Sequence, residues 1–196
     1  MREYIKDQIK KSFETKQAIY NNEILLNGIE EVAQKCIALY RNGKKTILAG
    51  NGGSAADAQH IAAELVGRYG FDRPSIPSLS LTTDTSNLTA IGNDYGYDKV
   101  FSRQLEGMGQ SGDLFIGIST SGNSLNIINA FKSAKKKNIL TVALTGRDGG
   151  EMAKIADISL IVPSDSTPRI QESHILIGHI LCDIIEQEIF AKGVHS

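Results

Sequence analysis

Apolar residues recur at helical spacing through the first forty positions, from Ile5 through Ile29 to Tyr40. This spacing predicts amphipathic helix, and the polar pair Asn21-Asn22 predicts either two helices or one bent helix. Its apolar face is too extensive for a helix that lies free on a surface. We therefore expect residues 1–43 to form a helical arm that packs on a neighbouring subunit, with packing on the chain's own core as the alternative.

After Gly43 the pattern changes to five short apolar runs, at 46–49, 78–81, 114–118, 140–144 and 158–162. Most are apolar at every position, as strands buried on both faces must be. Between the runs, helical spacing covers 54–68, 97–108, 124–137 and 151–155. This alternation indicates a parallel sheet covered by helices on both sides. We expect residues 44–196 to form one α/β domain, a three-layer, doubly wound sheet of five parallel strands.

A final amphipathic helix is predicted from Thr167 to Gly193. Thr167 is the expected N-cap, because a hydroxyl there can accept a hydrogen bond from a free backbone N–H of the first turn. Pro168 follows at the expected first helical position, where its missing N–H costs nothing. Together with the preceding strands, this helix completes a single domain.

Composition and charge narrow the class of protein. The 196 residues carry 21 Lys and Arg against 22 Asp and Glu, a formal charge of −1. Binding of nucleic acid by phosphate neutralisation needs an excess of basic charge, so we expect no nucleic-acid partner. The chain holds only two cysteines, has no apolar run near the roughly 20 residues of a membrane span, and starts without a signal-peptide core. These features predict a cytoplasmic protein with no membrane association.

Two predicted strands end in loops typical of phosphate binding. The first runs into Gly50-Asn51-Gly52-Gly53-Ser54 and the third into Ser119-Thr120-Ser121-Gly122-Asn123-Ser124, each leading directly into a helix. Free backbone N–H groups at a helix N-terminus attract anions, and hydroxyls add further donors. Ordinary caps and turns are the alternative, but two such loops favour a phosphorylated small molecule. Neither loop matches the nucleotide patterns GxxxxGK[ST] or GxGxxG, so no nucleotide cofactor is expected.

Four polar side chains in predicted helices are candidates for metal binding or catalysis. His60 and Glu64 stand four residues apart, which places them on one helix face. With Gln171 and His179 from the last helix they form a nitrogen and oxygen set that suits a divalent ion such as zinc. The alternative is a buried His–Glu bond that serves packing alone. Gln171 and His179 lie eight residues apart, about 12 Å along a helix, so the spacing leaves the metal open.

A further polar stretch follows the second predicted strand. It contains Asp84-Thr85-Ser86-Asn87 and then Gly92-Asn93-Asp94-Tyr95-Gly96-Tyr97. These residues would reach the same edge of the sheet and offer groups suited to sugar hydroxyls. Turn chemistry is the alternative interpretation.

The residues from Ala49 to His60 and from Ser119 to Ser124 resemble the sugar isomerase (SIS) domain family and, more narrowly, the phosphoheptose isomerases. The likeness spans nearly the whole chain, including the stretch Thr167-Pro168-Arg169-Ile170-Gln171-Glu172. The resemblance implies a flavodoxin-like fold and a cytoplasmic homotetramer. It also implies an aldose–ketose isomerase that makes D-glycero-D-manno-heptose 7-phosphate from sedoheptulose 7-phosphate. The product would feed ADP-heptose synthesis for lipopolysaccharide or another surface polysaccharide.

The resemblance also implies site residues. One zinc ion per subunit would be bound by His60, Glu64, Gln171 and His179. The implied phosphosugar contacts are Asn51, Gly52, Gly53, Glu64, Asn93, Asp94, Ser119, Thr120, Ser121, Ser124 and Gln171.

Isomerisation needs a base beside the carbonyl and an acid at its oxygen. Glu64 is the expected base and His179 the expected acid, although a metal-bound carboxylate is a weaker base, and both roles of Glu64 stay open. One rival is a non-catalytic SIS protein, such as a sugar-phosphate sensor or the adaptor that binds the replication initiator DnaA. It would need the phosphate loops but not His60, Glu64 and His179. An isomerase of another phosphosugar is the second rival, which these residues exclude far less well.

Overall fold

The computed structural model describes residues 1–191. The elements, in chain order, are α1 Arg2–Tyr20, α2 Glu23–Arg41, β1 Thr46–Gly50, α3 Gly53–Val66, β2 Ser78–Ser80, α4 Thr85–Tyr95, a 3-10 turn Tyr97–Lys99, α5 Val100–Met108, β3 Leu114–Ser119, α6 Leu125–Lys136, β4 Leu140–Gly146, α7 Gly150–Ile155, β5 Ile158–Val162, α8 Thr167–Glu186 and a π-helical segment Gln187–Ala191. All five predicted strands are therefore present.

The sheet is parallel throughout, with the strand order β2-β1-β3-β4-β5. This flavodoxin-like order confirms the predicted α/β class. Alternate side chains of the three central strands enter different cores: Ile47 and Phe115 pack with α5 and α6, whereas Leu48 and Ile116 pack with α2, α3 and α8. Three layers with two apolar interfaces result, as the continuous apolar runs predict.

The N-terminal region forms two helices, and Asn22 explains the break between them. Its side chain accepts a hydrogen bond from the Leu25 N–H and so caps the start of α2. α1 packs against α8 through the Ser12 hydroxyl, which donates to Glu172. Its other face leaves Ile5, Ile9 and Phe13 exposed by 51%, 65% and 64%. The arm thus packs partly on its own chain and keeps an apolar face open.

Two local details differ from what the sequence indicates. The stretch 85–95, for which turn chemistry is the alternative interpretation, forms a helix, because Asp84 caps it by accepting from the Asn87 N–H while Leu88 and Ile91 pack on the core. The N-cap position of α8 is Ser166 rather than the predicted Thr167, because the backbone of Ser166 is still extended; its side chain makes no capping hydrogen bond. The predicted end of that helix at Gly193 lies outside the described residues. Within residues 1–191, none of the helices combines the length and apolar character that a membrane crossing requires.

Candidate functional site

The two predicted phosphate loops meet at the carboxyl edge of the sheet. β1 lies between β2 and β3, so the chain winds in opposite directions on the two sides of the β1–β3 pair. In open parallel sheets ligands bind in the crevice at this point. The loop after β1, residues 51–52, and the loop after β3, residues 120–124, both open into it.

A reciprocal pair of amides joins these loops. The Asn51 amide donates to Oδ1 of Asn126 at 2.9 Å, and the Asn126 amide donates back to Oδ1 of Asn51 at 2.9 Å. The Tyr97 hydroxyl also donates to Oδ1 of Asn51, at 3.3 Å. Asn126 is buried in the first turn of α6. The predicted ligand Asn51 is therefore held in one orientation.

The loop after β3 concentrates hydroxyls at the start of α6. Oγ of Ser119 lies 2.8 Å from Oγ of Ser124 and 3.5 Å from Oγ of Ser121. Ser124 is the N-cap of α6, but its hydroxyl makes no capping bond, so it remains available to a ligand. Thr120 sits between Ser119 and Ser121 and is half-buried. This cluster, together with the N-terminus of α6, can bind a phosphate group.

The backbone of this loop is locked against the turn after β4. Gly122 has φ +66°, and a Cβ there would lie 1.9 Å from the Gly149 carbonyl oxygen. The N–H of Met152 donates to the Gly122 carbonyl at 2.9 Å, and the N–H of Glu151 donates to the Asn123 side chain at 3.0 Å. Only glycine fits this contact, so the turn after β4 fixes the shape of the loop.

The loop after β1 contacts Gln171. A Cβ on Gly53 would lie 2.4 Å from Nε2 of Gln171, which means that the amide rests on the Gly53 backbone. The structure therefore places Gln171, from α8, beside the predicted ligand Gly53. Gly53 begins α3, seven residues before His60.

His60, Glu64 and His179 form one cluster across α3 and α8. Nε2 of His60 lies 3.0 Å from Nε2 of His179 and 3.2 Å from Oε1 of Glu64. The buried apolar residues of α3 are Ala58, Ile61, Ala62 and Leu65. The side chains of His60 and Glu64 are exposed by 48% and 27%, so the pair is more open than a packing bond would be.

The cluster fits the requirements of a zinc ion. One donor atom from each of His60, Glu64 and His179 lies within 4.8 Å of the other two. Two ligands at about 2.0–2.1 Å from a tetrahedral zinc ion stand roughly 3.3 Å apart, close to the 3.0 Å and 3.2 Å observed here. Two imidazoles and a carboxylate also match the ligand types that zinc prefers. The Gln171 amide contacts Gly53, at the amino-terminal end of α3.

An unpaired carboxylate oxygen lies one turn before His60. Oδ2 of Asp57 is buried and makes no hydrogen bond within the described part of the chain. Burial raises the pKa of Asp57 to about 6, and the neighbouring His60 opposes this effect. This carboxylate therefore changes its charge close to neutral pH.

Two other predicted ligands and one histidine lie apart from these groups. Asn93 and Asp94 occupy the last turn of α4, where the Asn93 amide donates to Asp94 Oδ1 at 2.8 Å and both are exposed. Within residues 1–191 no hydrogen bond joins them to either loop. His174, between Gln171 and His179 in sequence, points into the core and contacts the Thr145 carbonyl oxygen at 3.0 Å.

Sequence reasoning missed two residues that contact the site, Tyr69 and Asn126. Tyr97, in contrast, belongs to the polar stretch that the sequence predicts to reach this edge of the sheet. The centroid of the Tyr69 ring lies 5.8 Å from the centroid of the His179 ring, and the centroid of the His60 ring lies 5.1 Å from that of His179. Asn126 could have been suspected, because it is a polar residue between the apolar residues Leu125 and Ile127, directly after the hydroxyl-rich loop. Tyr69 follows α3, and no spacing in the sequence points to it.

The fold and the crevice define the structural class of this protein, independently of its chemistry. The family model of the SIS domain matches residues 9–146. The architecture is therefore that of a SIS-domain protein, with paired loops at the sheet edge.

Proteins with higher sequence identity to this chain identify its family within the SIS-domain proteins. The phosphoheptose isomerase of Sulfurimonas denitrificans is 83% identical over 195 residues and covers 100% of both chains. That of Aneurinibacillus thermoaerophilus is 62% identical, over 97% of this chain and 96% of its own. The structure of phosphoheptose isomerase GmhA from Neisseria gonorrhoeae is 45% identical with a TM-score of 0.89, over 95% of this chain and 98% of that one. This chain belongs to the phosphoheptose isomerase family.

Proposed function

We propose that this protein is an aldose–ketose isomerase that converts sedoheptulose 7-phosphate to D-glycero-D-manno-heptose 7-phosphate, the first step of ADP-heptose biosynthesis. The observation that carries the proposal is the cluster of His60, Glu64 and His179 beside two anion-binding loops. A sensor or adaptor needs the loops but has no use for the cluster. The named relatives, at up to 83% identity over the full chain, support the same activity.

Substrate binding is assigned to the edge of the sheet. Ser119, Thr120, Ser121 and Ser124 would bind the phosphate through hydroxyls and through the free N–H groups of α6. Asn51, Gly52 and Gly53 would bind the sugar chain on the other side of the crevice. Glu64, Gln171, Asn93 and Asp94 would bind further oxygens of the sugar. For the exposed pair Asn93 and Asp94 this contact requires the substrate to extend over α4.

Proton transfer is assigned to two helices. The Glu64 carboxylate removes a proton from C1 of the ketose, while the His179 imidazole gives a proton to the oxygen on C2, and an enediol forms. Return of the proton to C2 and removal of the proton from the C1 oxygen complete the aldose. Both groups begin and end the cycle in the same protonation state, so the reaction needs no external acid or base.

The same side chains are proposed to hold one zinc ion per subunit, through His60, Glu64, Gln171 and His179. A bound divalent ion supplies charge that polarises a carbonyl or stabilises an enediolate. Coordination would lower the basicity of Glu64, so zinc and the Glu64 base compete for one carboxylate. Metal analysis of protein purified without chelator tests the proposal, and an absence of stoichiometric zinc would remove it.

The activity is tested by incubating the protein with five-, six- and seven-carbon ketose phosphates and measuring aldose phosphate. We expect the seven-carbon substrate to have the highest kcat/KM. Glu64→Gln and His179→Ala should lose at least about 100-fold in kcat while their circular dichroism stays unchanged. Glu31→Gln, at an exposed position on α2, is the matched control. Full turnover by either site variant would contradict the acid–base assignment.

The arm, residues 1–43, is proposed to pack on neighbouring subunits of a homotetramer. The exposed apolar residues Ile5, Ile9 and Phe13 support this, because an apolar stripe of this size is usually covered. Light scattering should give four times the chain mass, and Ile9→Glu with Phe13→Glu should reduce it. A monomeric wild type would contradict the proposal. The two buried free thiols, Cys36 and Cys182, support a reducing compartment such as the cytoplasm, which cell fractionation tests.

A further inference from the structure

The segment that follows α3 is held by one buried carboxylate. Glu186, at the end of α8, accepts hydrogen bonds from the backbone N–H groups of Tyr69 at 2.8 Å, Gly70 at 2.6 Å and Phe71 at 3.2 Å. Its side chain is 0% exposed. Burial alone would raise the pKa of Glu186, but these donors and Arg73 outweigh it and hold the pKa below its usual value. The carboxylate is therefore a charged anchor for the segment.

Arg73 completes this anchor and extends it to α3. Its Nε donates to Glu186 Oε2 at 2.8 Å, and the guanidinium is 1% exposed. The terminal nitrogens donate to the carbonyl oxygens of Leu65 at 2.7 Å and Glu64 at 2.9 Å. These carbonyls belong to the last turn of α3, where no intrahelical donor is left for them. One arginine thus joins the backbone of Glu64 to the end of α8.

The anchor connects the two helices that carry the cluster. Glu186 lies seven residues after His179 on α8, about two turns along the same face. Arg73 bonds to the backbone of Glu64 itself. Between the two, the segment brings the Tyr69 ring to 5.8 Å from the His179 ring, at an interplanar angle of 43°. Buried ion pairs add little to stability compared with apolar side chains of the same volume, so stability alone is a weak reason for this one.

We infer that the Arg73–Glu186 pair and Tyr69 are positioning residues for the site: the pair fixes the end of α3 against α8, and the Tyr69 ring sets the orientation of the His179 imidazole. This inference rests on the proposed function, because it assigns these residues to the same acid–base site. Tyr69 acts through packing with its ring, and its hydroxyl is not required. The three residues act on turnover and on metal affinity, and leave the phosphate loops unchanged.

The test compares Tyr69→Ala, Tyr69→Phe and Glu186→Gln with wild-type protein. Tyr69 is 36% exposed, so its truncation should leave folding intact even where Glu186→Gln is unstable. Removal of groups that orient ligands costs about 10–100-fold in activity or metal affinity. We expect Tyr69→Ala and Glu186→Gln to lower kcat by at least about 10-fold and to change KM by less than about 3-fold. Tyr69→Phe, the conservative variant, should restore most of the lost rate.

Asp113→Asn is the matched control, because Asp113 is a comparable buried carboxylate that lies away from the site. Asp113 is 1% exposed and accepts from the Lys45 ammonium at 2.7 Å and from the N–H groups of Lys45 at 3.1 Å and Gln110 at 2.9 Å. It lies at the start of β3, on the opposite edge of the sheet from the site. We expect this variant to lose stability to urea but to keep its kcat. If it loses as much kcat as Glu186→Gln, the inference is overturned, because the loss then reflects stability.

Cobalt binding, followed by its visible absorption, gives a readout that does not need turnover. Tyr69→Ala and Glu186→Gln should bind Co²⁺ at least about 10-fold more weakly than wild type and Asp113→Asn. If wild-type protein isomerises none of the ketose phosphates, the proposed function fails, and cobalt affinity alone decides the inference. Wild-type kcat and cobalt affinity in both site variants would overturn the inference while the proposed function stands. A wild type that neither turns over substrate nor binds cobalt overturns both.

Discussion

His174 should make the protein sensitive to mild acid. The side chain is fully buried on α8, and Nε2 contacts the Thr145 carbonyl oxygen at 3.0 Å, so Nε2 carries the proton. Nδ1 has no hydrogen-bond partner within residues 1–191. Burial lowers the pKa of His174 from 6.5 to about 4, although the bond to Thr145 partly opposes this. The folded protein therefore holds this imidazole neutral where the unfolded chain would already be protonated.

The size of the effect follows from proton linkage. Between pH 6.5 and pH 4 the unfolded state binds more protons than the folded state, so stability falls as the pH falls through this window. The two pKa values predict a loss of about 2 kcal/mol between pH 7 and pH 5, or about 30-fold in the ratio of folded to unfolded protein. Below pH 4 the loss reaches a limit of about 3 kcal/mol.

Urea unfolding of wild type and His174→Gln at pH 7, 6 and 5 measures this loss. A glutamine amide can still donate to the Thr145 carbonyl oxygen but does not titrate. His60, His179 and the carboxylates are present in both proteins, so their contributions cancel in the difference. Protein concentration must be held constant, because assembly contributes to apparent stability. Parallel pH profiles for the two proteins would refute the reasoning.

Three further predictions concern the crevice. Gly122→Ala should lose about 2 kcal/mol or more of stability and at least about 10-fold in phosphosugar affinity, because its Cβ would meet the Gly149 carbonyl oxygen. Isothermal titration calorimetry measures the affinity, and a wild-type value would be inconsistent with this. Gly53→Ala should raise KM at least about 10-fold by displacing the Gln171 amide, while the melting temperature changes little, since a side-chain end can move; an unchanged KM would separate Gln171 from the substrate. Dialysis against a chelator should lower kcat at least about 10-fold, with recovery on adding zinc; full activity of metal-free protein would exclude a catalytic zinc.

The architecture could be predicted because each strand and most helices show a recognisable pattern of apolar residues within their own sequence. Strands such as Leu114–Ser119 are buried at every position, so a continuous apolar run marks them. The helix Thr85–Tyr95 was not predicted, because its stability comes from the Asp84 cap and from packing of Leu88 and Ile91. Its sequence, rich in Ser, Thr, Asn and Gly, has little helix propensity of its own.

The candidate site could be predicted where side chains share a helix or follow a strand. His60 and Glu64 lie four residues apart on one helix, and their association follows from that spacing. Their approach to His179 depends on the packing of α3 beside α8, which sequence spacing does not encode. The same is true of Glu186, whose carboxylate turns inward to backbone N–H groups more than a hundred residues away. Contacts of that kind arise only from the complete fold.

The interlocked turns behind the hydroxyl cluster limit how the protein can be redesigned. Residues 119–124 rest on Gly149, and the α7 backbone donates to the Gly122 carbonyl oxygen. A change in the width of the anion cradle therefore cannot be made in that segment alone. An engineer who wishes to admit a bulkier tail must alter both turns together, and variants of either one by itself should fail to fold or keep the original selectivity.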